Sequence, residues 1–148
     1  MPASIEVYNP MSPYNNAINV LEKNGIRATK QRRVLAKLIF DKGKRHISAE
    51  NLFDEVKKDD RKISMATIYN TLKQFTNLGL IKEIVVDQNK SLYCTNHKSH
   101  YHLYIEDEGK IVDIPHENID LNIPSIPACL QLHNIDVIVR IRTLKDQK

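Results

Sequence analysis

Histidine is the residue type whose placement in this chain most suggests chemistry. Six occur in 148 residues: His97, His100 and His102 crowd into six positions, while His46, His116 and His133 stand apart. In an extended segment alternate side chains share a face, so His100 and His102 would lie about 7 Å apart on one side, near enough for their imidazoles to converge on one cation. A second extended run, Lys110 to Ile114, follows the turn sequence Glu106-Asp107-Glu108-Gly109. An even loop there sets Asp113 opposite position 102 or 104, on the histidine face. Two imidazoles and a carboxylate suit iron, manganese or zinc without choosing among them. Contact with haem through His100 or His102 is an alternative, and so is a solvated strand that merely carries histidines.

Other chemistries fit less well. Cys94 and Cys129 are the only cysteines, and neither belongs to a C-x-x-C pair, so a disulfide framework is excluded. A zinc hydrolase would need a nucleophile or general base beside the histidines, and none stands out. It would also leave the charge distribution unexplained. From Ser12 to Lys98 the chain carries 17 Lys/Arg against 9 Asp/Glu, a net +8; from Ser99 to Lys148 it carries 5 against 8, a net −3. A basic module followed by a different one is the footprint of a polyanion-binding domain, with a basic, partnerless helical domain as the alternative.

The elements that must position these residues follow from caps and periodicity. Residues 1–11 are polar and aperiodic and read as a flexible arm. Ser12 then caps a helix with Pro13 at its first position, Ala17, Val20 and Leu21 on one face, and Asn24-Gly25 at its exit. Thr29 caps a second, with Val34, Leu35, Leu38 and Ile39 as its apolar stripe. Ser48 caps a third, with Leu52, Phe53 and Val56 facing inward. Ser64 caps a fourth, in which Met65, Ile68, Leu72 and Phe75 recur at helical spacing. From Leu80 the period becomes that of strands. Leu80 to Val86 and Ser91 to Thr95 flank the turn Asp87-Gln88-Asn89, and form a wing. Three helices, a recognition-type helix and a wing define a winged helix-turn-helix over residues 12–96.

Residues 97–99 form a polar hinge, and 100–148 a second domain for dimerisation and metal sensing. Its third strand is placed at Ile135 to Ile141, giving an antiparallel three-stranded sheet in a small α/β domain. The fold class is therefore α+β. So thin a sheet, apolar on one face, calls for pairing with a second copy as a homodimer. No apolar run approaches the roughly 20 residues of a membrane span, and no secretory leader is evident, so a cytoplasmic protein without membrane partners is expected.

On a wheel of the fourth helix, Thr67, Asn70, Thr71, Lys73, Gln74 and Asn77 occupy the arc opposite the apolar stripe, with Tyr69 at its border. Amides and hydroxyls beside one Lys suit contacts with base edges in the major groove of double-stranded operator DNA. Lys23, Arg27, Lys30, Arg32, Arg33, Arg61 and Lys62 cluster at helix ends and turns, where phosphate contacts would fix register. The alternative is the wet side of an ordinary amphipathic helix.

In combination and order, Gly25-Ile26-Arg27-Ala28-Thr29-Lys30-Gln31-Arg32, Arg45-His46-Ile47-Ser48-Ala49-Glu50, Met65-Ala66-Thr67-Ile68-Tyr69-Asn70-Thr71-Leu72, His100-Tyr101-His102 and Ile111-Val112-Asp113-Ile114-Pro115 resemble the ferric uptake regulator family, and especially its iron response regulator branch. The resemblance runs from about Asn16 through Pro115 and more weakly to Arg142. It implies a dimeric repressor or activator reading iron, haem, manganese or peroxide status. Carried over position by position, the family's regulatory metal site falls on His46, Cys94, His100, His102 and Asp113. Relatives have Asp or Glu where Cys94 stands, which implies a softer metal preference or a lost ligand. The family's C-x-x-C zinc pair is absent, Tyr101 interrupts the iron response branch's run of histidines, and the Cys-Pro haem motif of some members is missing.

Overall fold

A computed structural model describes residues 11–96 and 100–145, so all but Met11 of the expected arm, the expected hinge at 97–99 and His97 lie outside the described residues. The chain divides into two compact units, Met1–His97 and Lys98–Lys148, taken here in turn.

The first unit contains α1 (Pro13–Lys23), α2 (Lys30–Phe40), β1 (His46–Ile47), α3 (Ala49–Lys58), α4 (Met65–Asn77), β2 (Lys82–Asp87) and β3 (Lys90–Cys94). Every helix begins where a short hydroxyl side chain satisfies a backbone donor that the helix cannot. Ser12 accepts from Asn15 N–H, Thr29 from Arg32 N–H, Ser48 from Asn51 N–H and Ser64 from Thr67 N–H. Leu21, Leu35, Ile39, Leu52, Ile68, Leu72 and Phe75 then meet in one fully buried cluster, with Phe40 tilted against Phe75. Gly79, at φ +73°, reverses the chain after α4 so that Leu80 N–H closes on Phe75 O at 2.9 Å.

Sheet order in this unit is β1-β3-β2, all antiparallel. The wing hairpin β2–β3 was legible in the pattern, but β1 was not. It forms because Arg45 N–H donates to Thr95 Oγ1 and Thr95 N–H donates to Arg45 O, pinning the chain beside β3. Thr71, expected on the outer arc of α4, is 2% exposed and donates its hydroxyl to Thr67 O.

The second unit contains β4 (His100–Ile105), β5 (Lys110–Pro115), a single 3-10 turn (His116–Asn118) and β6 (Ile138–Ile141). Three details differ from expectation. The sheet, ordered β5-β4-β6, is mixed: β5 is antiparallel to the central β4, whereas β6 is parallel to it. Direction follows from the connection, since a tight turn at Glu106–Gly109 enforces antiparallel pairing while the long stretch before β6 permits a parallel crossover. The last strand also starts three residues later than expected, at Ile138. Among the described residues this unit holds no α-helix, so the expected α/β domain is a sheet whose β5–β6 connection is a single 3-10 turn and irregular chain. Pro124 and Pro127 lie in the segment that a crossover helix would have used.

Candidate functional site

In the second unit, the β4–β5 register sets His102 directly opposite Asp113, with His100 two residues away on the same face. The Nε2 atoms of His100 and His102 face each other at 2.9 Å, and Asp113 Oδ1 lies 3.2 Å from the first and 3.3 Å from the second. The rings meet edge to face. Both histidine side chains are almost wholly buried, and the carboxylate is partly so. His102 occupies the middle strand, and its backbone N–H donates to Val137 O, so the sheet fixes it from both sides. Three donors at these separations fit one ion: bonds of about 2.0–2.1 Å in tetrahedral arrangement place ligand atoms about 3.3 Å apart. The same closeness argues against the two imidazoles flanking a haem iron, since the gap between their nitrogens is smaller than two such bonds.

In the first unit, the β1–β3 ladder pairs His46 with Cys94. A His46 ring nitrogen and Cys94 Sγ lie within 4.8 Å of each other, and Cys94 is 1% exposed. Arg45, next to His46, is anchored by a fork to both carboxylate oxygens of Glu55 at 3.0 and 2.9 Å and by a bond to Leu38 O. Burial raises the Glu55 pKa, but hydrogen bonds from Arg45 and Lys42 outweigh it and hold the carboxyl below its ordinary value. Arg45 and Glu55 are thus the supports of the His46 strand, and sequence reasoning missed them. Their one signal was the adjacency of Arg45 to His46, since the partner carboxylate is supplied from α3.

Of the residues expected to meet DNA, Arg32, Thr67, Asn70, Lys73 and Gln74 line one surface groove of about 700 Å³ between the start of α2 and the outer face of α4. Lys23, Arg27 and Lys62 are exposed but lie outside its lining, Arg27 being joined to it through its carbonyl, which accepts from Arg32. Tyr69 is 46% exposed, and its hydroxyl donates to Glu50 on α3 at 2.9 Å, which raises its pKa. Tyr93 on the wing, held by burial and by Glu83, is pushed up to about 12. His116 and His133 are exposed, and His116 lies 3.5 Å from Glu117. Cys129 is an exposed free thiol. Among the described residues no helix is long and apolar enough to cross a membrane.

A winged helix followed by a small sheet that carries a His-His-Asp cluster is an architecture suited to a transcription regulator. The chain belongs to the ferric uptake regulator family, whose model matches residues 23–141. It is 33% identical over 105 residues to the peroxide-responsive repressor PerR of Staphylococcus saprophyticus, spanning 71% of this chain and 70% of that protein. To the peroxide-responsive repressor PerR of Staphylococcus aureus it is 31% identical over 117 residues, 79% of this chain and 78% of that one. In fold it resembles the ferric uptake regulator of Vibrio cholerae, with a TM-score of 0.64 at 22% identity over 85% of this chain and 98% of that one. A zinc-bound manganese uptake regulator gives 0.59 at 26% identity, covering 86% and 98%. The iron response branch is not singled out by these likenesses.

Proposed function

We propose that this chain is a metal-dependent transcriptional regulator that binds double-stranded operator DNA as a homodimer and adjusts genes of iron or haem homeostasis. The observation that carries this reading is the cluster of two buried histidines, His100 and His102, with Asp113, whose donor spacing suits a divalent ion. His46 and Cys94 are proposed as further ligands from the winged-helix half, following the family's regulatory site. Iron, manganese and zinc all suit imidazole with carboxylate, and a Cys94 thiolate would tilt the preference toward zinc or iron. When bound, the metal supplies a fixed charge that ties its ligands together; His100 and His102 offer neutral imidazole nitrogens to it and Asp113 a carboxylate oxygen. Ligation that draws on both halves biases their relative orientation, and so the fit to paired half-sites.

The groove beside α4 is the proposed DNA-reading surface, with Thr67, Asn70, Lys73 and Gln74 toward base edges and Lys23, Arg27 and Lys62 toward phosphate. Leu121, Ile123, Ile126, Leu130 and Leu132 of the second unit are exposed, Leu130 at 64%, an apolar surface that a second copy would cover. DNA binding by the full chain, stripped with chelator and then given Mn(II), Fe(II) or Zn(II) at one salt concentration, tests the proposal. Affinity should depend on metal, and metal-independent binding would refute the gating.

A second reading, a peroxide sensor, is favoured by the sequence likeness to peroxide-responsive repressors. Oxidation of a ligand histidine by peroxide at bound Fe(II) would add one oxygen atom to His46 or His100, detectable by mass spectrometry of the Fe(II)-loaded chain. An unmodified pair of histidines would exclude this reading while leaving metal gating intact.

A further inference from the structure

Arg32 on α2 and Gln74 on α4 are joined by a side-chain hydrogen bond, Arg32 Nε–H donating to Gln74 Oε1 at 3.2 Å. The same guanidinium donates from its terminal nitrogen to Arg27 O at 2.6 Å. Arginine has only donors, so the glutamine amide meets it through the carbonyl, and the sense of that amide is settled by chemistry. Through two of its five N–H donors the guanidinium is thereby a strut between the loop before α2 and the third turn of α4. The Nε–H that meets Gln74 is committed to the protein, a use that a simple phosphate contact does not require.

Two consequences follow for Gln74. Its carbonyl is engaged by a cation, and polarisation of the amide makes its NH₂ group a stronger donor and its oxygen a weaker acceptor. Glutamine reads adenine by using acceptor and donor together, whereas guanine presents two acceptors, N7 and O6, in the major groove. Thr67, Asn70 and Lys73 share the groove with this amide. We infer that Arg32 is a positioning residue that turns Gln74 into a donor-biased reader, selecting guanine at one base pair of each half-site. The inference rests on the proposed DNA-reading role of α4.

Selection from a randomised duplex library by the full Mn(II)-loaded chain at fixed salt tests it. Wild type should enrich guanine at one position per half-site, and Gln74→Met should lose preference at that position only. Arg32→Met and Arg32→Lys should lower the guanine preference at the same position by about fivefold or more, the scale of one bidentate base contact, while other positions persist. The lysine variant keeps the charge but not the fork, so a phosphate clamp would tolerate it. Retention of the wild-type profile by both Arg32 variants, or a change at a position that Gln74→Met does not affect, overturns the inference. Failure of wild type to enrich any sequence would instead refute the DNA-reading role of α4.

Discussion

His102 and Asp113 face each other across the β4–β5 ladder with Nε2 and Oδ1 3.3 Å apart, and His100 shares the same carboxylate oxygen at 3.2 Å. Asp113→Asn keeps the shape of that carboxylate and removes its charge. Metal affinity measured by competition with a chelating dye should fall 10-fold or more, on the order of 1.4 kcal/mol per decade, with the fold retained by circular dichroism. Affinity equal to wild type would remove Asp113 from the ligand set.

The Arg45–Glu55 fork supports the strand that carries His46. Glu55→Gln should cost about 1–2 kcal/mol in denaturant unfolding, as expected for a charged hydrogen bond that is partly shielded. The folded pKa of Glu55 lies below its ordinary 4.5, so the folded state releases this proton more readily than the unfolded chain. Its stabilising contribution is therefore complete above that ordinary value and is lost as pH falls through the lower folded value. An acid limb of the stability curve identical in wild type and Glu55→Gln would refute this assignment.

Ser64 caps the helix that is proposed to read DNA, accepting from Thr67 N–H at 3.1 Å. Ser64→Ala should destabilise the first unit by about 1 kcal/mol. Thermal melting monitored at the helical band would register the loss, and an unchanged midpoint would show that solvent replaces the cap without penalty.

Lys62 is exposed beyond the groove lining, a placement suited to phosphate and not to bases. Lys62→Ala should reduce the slope of log affinity against log salt by about 1 and weaken binding evenly across sequences. A change of sequence preference would instead place Lys62 at a base edge.

What was legible in the chain was local. Ser12, Thr29, Ser48 and Ser64 each declare a helix start within a few residues of the apolar stripe they precede, so the four helices could be read directly. The histidine-carboxylate register was legible for a similar reason: Ile105 pairs with Lys110 across a short, even turn, and the pleat carries that parity to His102 and Asp113. β1 has two residues and therefore no period, and it exists through Thr95, fifty positions from Arg45. The direction of β6 depends on a long connection that encodes no parity. The wheel of α4 put Thr71 outside because helical spacing alone does not show how far neighbouring elements cover that edge, where Thr71 is 2% exposed. His46 and Cys94 were reachable only through family resemblance, and the Arg32–Gln74 bond joins elements 42 positions apart, beyond any local pattern.

The proposed gate on operator binding is metal held through the histidines. Its most direct test pairs metal content per chain with DNA affinity for wild type and the His100→Ala/His102→Ala variant, at one salt concentration and with Mn(II) present. Loss of stoichiometric metal together with a large loss of affinity is expected, while the variant keeps its helical content. Unchanged metal content with unchanged affinity in the variant would contradict it.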